Sequence, residues 1–87
     1  MTAADAWALV LESLQAEMPK AAFALYMRDT RLVSYQMGLF TIGCANQKIC
    51  DWLTARLTST LRRMLTGILN RAVEVKFVVV NKVTNAN

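Results

Sequence analysis

Apolar residues recur along this chain with two different periods, and each stretch of one period predicts an element. From Ala3 to about Met18, Trp7, Val10, Leu11 and Leu14 stand at i, i+3, i+4 and i+7, the stripe of an amphipathic helix. Asp5 and Glu12 fall elsewhere on that cylinder, and Thr2 is placed to cap its start. Pro19 breaks the run and suits the opening turn of a second helix, about Lys20 to Arg28, with Phe23, Tyr26 and Met27 as its inner face. The period then shortens. Arg31 to Gln36 and Leu39 to Ala45 are rich in β-branched and aromatic residues around Met37-Gly38, which predicts a hairpin. Asn46 offers the N-cap of a long third helix, with Asp51 near its positive end. Gly67 is placed to bend or help end that helix, and Asn70 to lie near its C-terminus. RAVEVKFVVV, Arg71 to Val80, reads as a third strand, and the polar NKVTNAN after it as a tail or the start of a linker.

The expected order is therefore α-α-β-β-α-β, an α+β domain over residues 1–80 in which three helices cover a three-stranded sheet. Residues 81–87 are expected to lie outside it.

The third helix carries the most informative face. With each residue advancing by roughly 100° from Lys48, Ile49, Cys50, Leu53, Leu57, Leu61, Met64 and Ile68 fall between roughly 100° and 220°. That arc is the expected buried stripe. Trp52 falls near 40° and shares its side of the helix with Lys48, Arg56, Arg62 and Arg63, by roughly the same arithmetic. Two readings stay open for it. Trp52 is a core-margin residue whose ring lies over the hairpin edge beside arginine stems. Or it belongs to a binding face, where an aromatic among cations suits stacked bases or a protein hot spot. Trp7 poses the same choice. Its stripe points to core packing, but its place near the helix start also suits contact with a second copy of the chain.

Composition narrows the function classes. At 87 residues, 55% hydrophobic and 18% charged, the chain suits one folded domain rather than disorder. No run approaches the roughly 18 apolar residues of a membrane span. The start, MTAADAWALV, lacks the basic segment of a signal peptide, so a cytoplasmic protein is expected. Cys44 and Cys50 fit a reducing compartment as small buried hydrophobes. With no His, zinc ligation and Cys-His nucleophilic catalysis both lack their partners, and neither metal nor cofactor is expected. The phosphate loop GxxxxGK[ST] and the GxSxG nucleophile motif are absent, and the six carboxylates are scattered. GCAN at Gly43 to Asn46 lacks the GxxG clamp of a KH nucleic-acid loop.

Charge is unevenly placed. Up to residue 47, three cations face four anions, a net −1; from residue 48 on, seven cations face two anions, a net +5. The basic half suits an acidic partner, whether nucleic acid or protein.

Taken in order, AWALVLESL, FALYMRDT, GLFTIGCANQKICDWL and VEVKFVV resemble the N-terminal domain of the bacterial replication initiator DnaA across roughly Ala6 to Val80. The most specific pieces are Trp7, the run Phe23, Tyr26, Met27, Arg28, and Asn46 followed by Asp51-Trp52-Leu53. The resemblance implies a KH-like fold of the order derived above and a non-enzymatic interaction module in replication initiation, nucleoid-associated. It further implies self-association, with itself or full-length initiator, through the first-helix face at Trp7, Val10 and Leu11. Helicase or regulator docking is implied around Ala22, Phe23, Tyr26, Lys48, Asp51 and Trp52. Weak single-stranded DNA binding is implied too, and the basic face of Lys48, Trp52, Arg56, Arg62 and Arg63 is the alternative functional surface. Ala22, Ala45 and Lys48 depart from the family pattern, which often has an acidic residue, a proline and a large apolar residue there. The added charge at Lys48 favours nucleic acid or an acidic partner. The chain is expected to be either the first domain of an initiator or a stand-alone relative of it.

Overall fold

The computed structural model describes residues 1–80, so the expected tail at 81–87 lies outside the described residues. Helix α1 spans Ala3–Glu17, and a short helix α2, Lys20–Ala22, runs on into a π-helical turn, Phe23–Met27. Strands β1 (Arg31–Gln36) and β2 (Leu39–Cys44) form the hairpin; α3 (Gln47–Leu69) follows, then β3 (Glu74–Val79). The α+β architecture and the order of elements agree with the expectation.

The local signals explain most boundaries. The Thr2 hydroxyl accepts a hydrogen bond from the Asp5 N–H at 3.0 Å, and Asp5 Oδ2 accepts from the Thr2 N–H at 3.3 Å. This reciprocal capping box satisfies two amides that the helix start leaves without partners. Asn46 Oδ1 accepts from the Ile49 N–H at 2.9 Å and so begins α3. The helix runs through Gly67 and ends where Asn70 turns left-handed at φ 56°, a conformation that Asn tolerates better than most residues. The second helix departs from the sequence reading. Instead of α-helix to Arg28, the Arg28 N–H donates to the Phe23 carbonyl at 3.0 Å, the longer link of a π turn. Met27 becomes fully buried, with Phe23 and Tyr26 half-buried beside it.

The sheet has the order β1-β2-β3, with β1–β2 antiparallel and β2–β3 parallel. Parallel neighbours need a long crossover, which α3 provides. Phe40 and Ile42 face Val75 and Phe77 across the parallel pair, on the side that the helices cover, and Cys44 stands opposite the exposed Val79. A bulge between Leu32 and Ser34 pushes Val33 out, half exposed, and keeps Tyr35 beside Phe40. At Gly43 a Cβ would run into the Val80 side chain and crowd Val33 at 3.1 Å, so this strand position needs a glycine.

The core joins Ala6, Trp7, Val10 and Leu14 of α1 to Cys50, Leu53, Leu61 and Leu65 of α3 and to the sheet. Leu65, outside the expected arc, is fully buried because α1 covers one flank of α3 while the sheet covers the other. Trp7 is only 5% exposed, and its indole N–H has no hydrogen-bond partner. Of the two readings open for Trp7, core packing is the one this fold adopts.

Two outcomes follow. Trp7→Ala should lose about 3–5 kcal/mol in chemical denaturation, a large part of a small domain's stability, through the cavity it leaves. At the hairpin, Met37 and Gly38 both have positive φ, 52° and 81°, as a two-residue type I′ turn requires. Met37 is fully exposed there and gains no packing in return. Met37→Asn should raise stability by about 1 kcal/mol, read as a higher denaturation midpoint with an unchanged slope.

Candidate interaction surface

The Asn46 cap sets α3 going directly after β2, with its first two turns beside the π turn. There Trp52 lies flat on Tyr26, ring centroids 3.7 Å apart and planes 4° from parallel. The Arg56 guanidinium, one turn further along α3, stands 5.5 Å from the Trp52 centroid. Trp52 thus makes an aromatic pair with Tyr26 and a cation–π contact with Arg56. Its stacking partner is Tyr26 of the π turn, a pairing that the helical period alone does not show.

Leu25, Tyr26, Asn46, Lys48, Ile49 and Trp52 line a cleft of ≈ 290 Å³ at this junction. Of its lining residues, Leu25 is 60% exposed and Lys48 is exposed as well. An apolar residue left in water beside a fixed aromatic pair and two cations has the make-up of a contact patch.

The other expected site residues divide. Ala22 and Phe23 are half-buried, and Phe23 packs on the core. Asp51 is exposed and accepts a hydrogen bond from Gln47 Nε2 at 2.8 Å. Arg62 and Arg63 are not brought to Trp52. They lie about 10 Å further along α3 than Arg56 and line a separate groove with Ala72, Val73 and Glu74. Arg62 pairs there with Glu74 at 3.3 Å. The basic arc expected from the sequence is thus two patches.

On α1, Trp7 and Val10 are buried within the single chain, and Leu11 is half-buried. What α1 presents outward is an open, shallow face of Met1, Asp5, Ala8, Leu9, Leu11, Glu12 and Gln15. Leu9 (40% exposed) and Leu25 are the contributors that helical periodicity passes over. The readable signal for each was an apolar residue off its helix's stripe.

Among the described residues, no three His, Cys, Asp or Glu side chains are grouped to hold a metal ion, and no helix is long and apolar enough to cross a membrane. Cys44 and Cys50 are both free and buried. Burial, then a hydrogen bond and charge repulsion from Cys50, push the Cys44 thiol from its ordinary 9.0 up to about 12. A folded-state value raised in this way favours the fold fully below about pH 9 and ever less as pH climbs towards 12. Native protein at pH 8 should therefore leave Ellman's reagent unreacted, releasing colour only on denaturation, and its melting temperature should fall from pH 9 upward.

A model of the DnaA N-terminal domain family matches residues 4–67, a span that holds α1, the hairpin, the cleft and nearly all of α3.

Proposed function

Since the chain belongs to the DnaA N-terminal domain family and thereby to DNA replication initiation, we propose that it is a non-enzymatic assembly domain that docks protein partners through the Leu25–Trp52 cleft. The observation that carries this is the state of Trp52. Tyr26 stacks flat on its ring at 3.7 Å, so one face of the indole is already engaged within the chain, and Arg56 stands 5.5 Å from the ring centroid. The patch instead offers an apolar anchor, Leu25, inside a cationic rim of Lys48 and Arg56, and such a mixture suits a protein surface. The replicative helicase and replication regulators are the partner classes that the family resemblance suggests. Self-association is the second half of the proposal. Because Trp7 and Val10 are buried, it would use the outward α1 face at Leu9 and Leu11. The setting is cytoplasmic, at the nucleoid.

Binding of single-stranded DNA is the alternative, and it retains two arguments: Lys48 and Arg56 on one patch, Arg62 and Arg63 on the other. With one ring face covered by Tyr26 it leans on phosphate attraction, which is weak and steeply salt-dependent.

NMR titration separates the two. Replicative helicase should shift the amides of Leu25, Tyr26, Lys48 and Trp52, and Leu25→Glu should weaken that binding at least about tenfold. An oligonucleotide should perturb the basic residues alone and lose its effect at physiological salt. Helicase affinity untouched by Leu25→Glu, or oligonucleotide binding that Trp52→Phe abolishes, would overturn the docking assignment.

A further inference from the structure

The sheet has two outer edges, and they differ. Strand β1 is broken by the bulge between Leu32 and Ser34, which interrupts its run of backbone donors and acceptors. Strand β3 pairs with β2 in unbroken register from Glu74 to Val79, and among the described residues no strand pairs with its other edge. The Glu74 and Val80 N–H groups donate to the Gly38 and Cys44 carbonyls, at the two ends of β2, both at 2.8 Å. Backbone groups alternate in direction along a strand, so Val75, Phe77 and Val79 turn their N–H and C=O groups outward. They form a row about 13 Å long at roughly 3.3 Å per residue. Residues 74–79 contain no Pro or Gly that would spoil this row for pairing.

The start of this edge adjoins a shallow groove, where Ser59, Arg62, Arg63 and Thr66 of α3 stand beside the chain entering β3. Arg62 pairs with Glu74 at 3.3 Å, and both side chains are exposed, so the pair contributes little to stability and can give way. Arg63 is exposed and forms no ion pair among the described residues. The groove thus holds two guanidinium groups against one carboxylate, and no aromatic residue lines it.

The chemistry of edge and groove together selects an occupant. An open strand edge presents donors and acceptors in turn, and another polypeptide backbone matches both. A phosphate backbone supplies acceptors alone, leaves the Val75, Phe77 and Val79 carbonyls unmatched, and meets the charge of Glu74. A second copy offering its own β3 segment, Arg71 to Val80, brings Arg71 and Lys76 against one acid, Glu74, a net +1 that suits the arginines poorly.

We propose that the outer edge of β3 takes up an extended acidic segment of a partner protein as a fourth strand. Main-chain hydrogen bonds to Val75, Phe77 and Val79 hold the segment. Carboxylates at alternate positions on its α3 side meet Arg63 and compete with Glu74 for Arg62, in the planar pairing that guanidinium favours. The Ser59 and Thr66 hydroxyls add donors on the same side. No residue lines both this groove and the Leu25–Trp52 cleft, so the inference is independent of the docking reading above. One molecule can hold a partner at each.

A blocked heptapeptide of alternating Val and Glu, titrated into the full chain with amide hydrogen exchange as the readout, tests this. In the free protein the Val75, Phe77 and Val79 amides should exchange faster than those of Lys76, Val78 and Val80. With saturating peptide they should slow at least about tenfold. Arg63→Glu, at an exposed position, should stay folded by circular dichroism and weaken the peptide at least about tenfold. Leu25→Glu, which disables the cleft, should leave peptide affinity unchanged. The proposal fails if the peptide leaves the three outward amides unprotected, or if a Val-Lys peptide binds as tightly. It fails equally if Leu25→Glu abolishes binding, which would move the peptide to the cleft. A single-stranded oligonucleotide that slows the same amides would give the edge to nucleic acid instead.

Discussion

The parallel pairing of β2 with β3 is the constraint from which the rest of this fold follows. Two parallel strands cannot be joined by a tight turn, so the chain must travel back along the sheet before the second strand can start. Here α3 makes that journey in 23 residues, and burying it over the sheet is what makes the crossover stable. Cys50, Leu53, Leu61 and Leu65 reach into the same core as Phe40, Ile42 and Val75. Helix α1 then closes the other flank with Trp7, Val10 and Leu14. Deep burial of Trp7 without a partner for its N–H is a cost borne by this arrangement, since an unpaired buried donor typically opposes folding by about 1–3 kcal/mol. The area of ring removed from water outweighs it.

The candidate surface is a consequence of that crossover. Because α3 must begin where β2 ends, the Asn46 cap places Lys48, Trp52 and Arg56 beside whatever precedes the hairpin. What precedes it is the π turn, and the extra residue in that turn presents Tyr26 to Trp52 and leaves Leu25 outside. Stacking of Tyr26 on Trp52 holds two side chains whose rotamers would otherwise be costly to order on binding, which would lower the entropy cost of any docking there.

Electrostatics adds direction. The same asymmetry that separates an acidic first half from a basic second half places carboxylates on α1 and cations on early α3. Charges exposed at such rims contribute little to stability. Their influence lies in which surfaces approach each other and how fast.

Much of this was legible in the chain itself. Thr2, Asn46, Pro19, Asn70 and the Met37-Gly38 pair marked element ends because capping and turn geometry depend on a few neighbouring residues. The stripes on α1 and α3 identified the core because burial imposes a helical period on whichever face meets it. The resemblance to the DnaA N-terminal domain, carried by an ordered set of short motifs, agreed with the family match over residues 4–67. What the sequence could not decide was how the faces of different elements meet. Trp7 stood on a core stripe yet near its helix start, so a surface contact stayed open beside the favoured core reading until the closing of α1 over α3 buried it. Trp52 was placed on a shoulder of its helix, but its stacking on Tyr26 came from a π turn that no local period announces. Arg62 and Arg63 shared a helical arc with Trp52, yet one lies paired with Glu74 of β3, a residue twelve positions away that only the tertiary fold brings alongside. Local chemistry determined the elements and their buried sides; contacts between residues distant in sequence decided which exposed side chains became a surface.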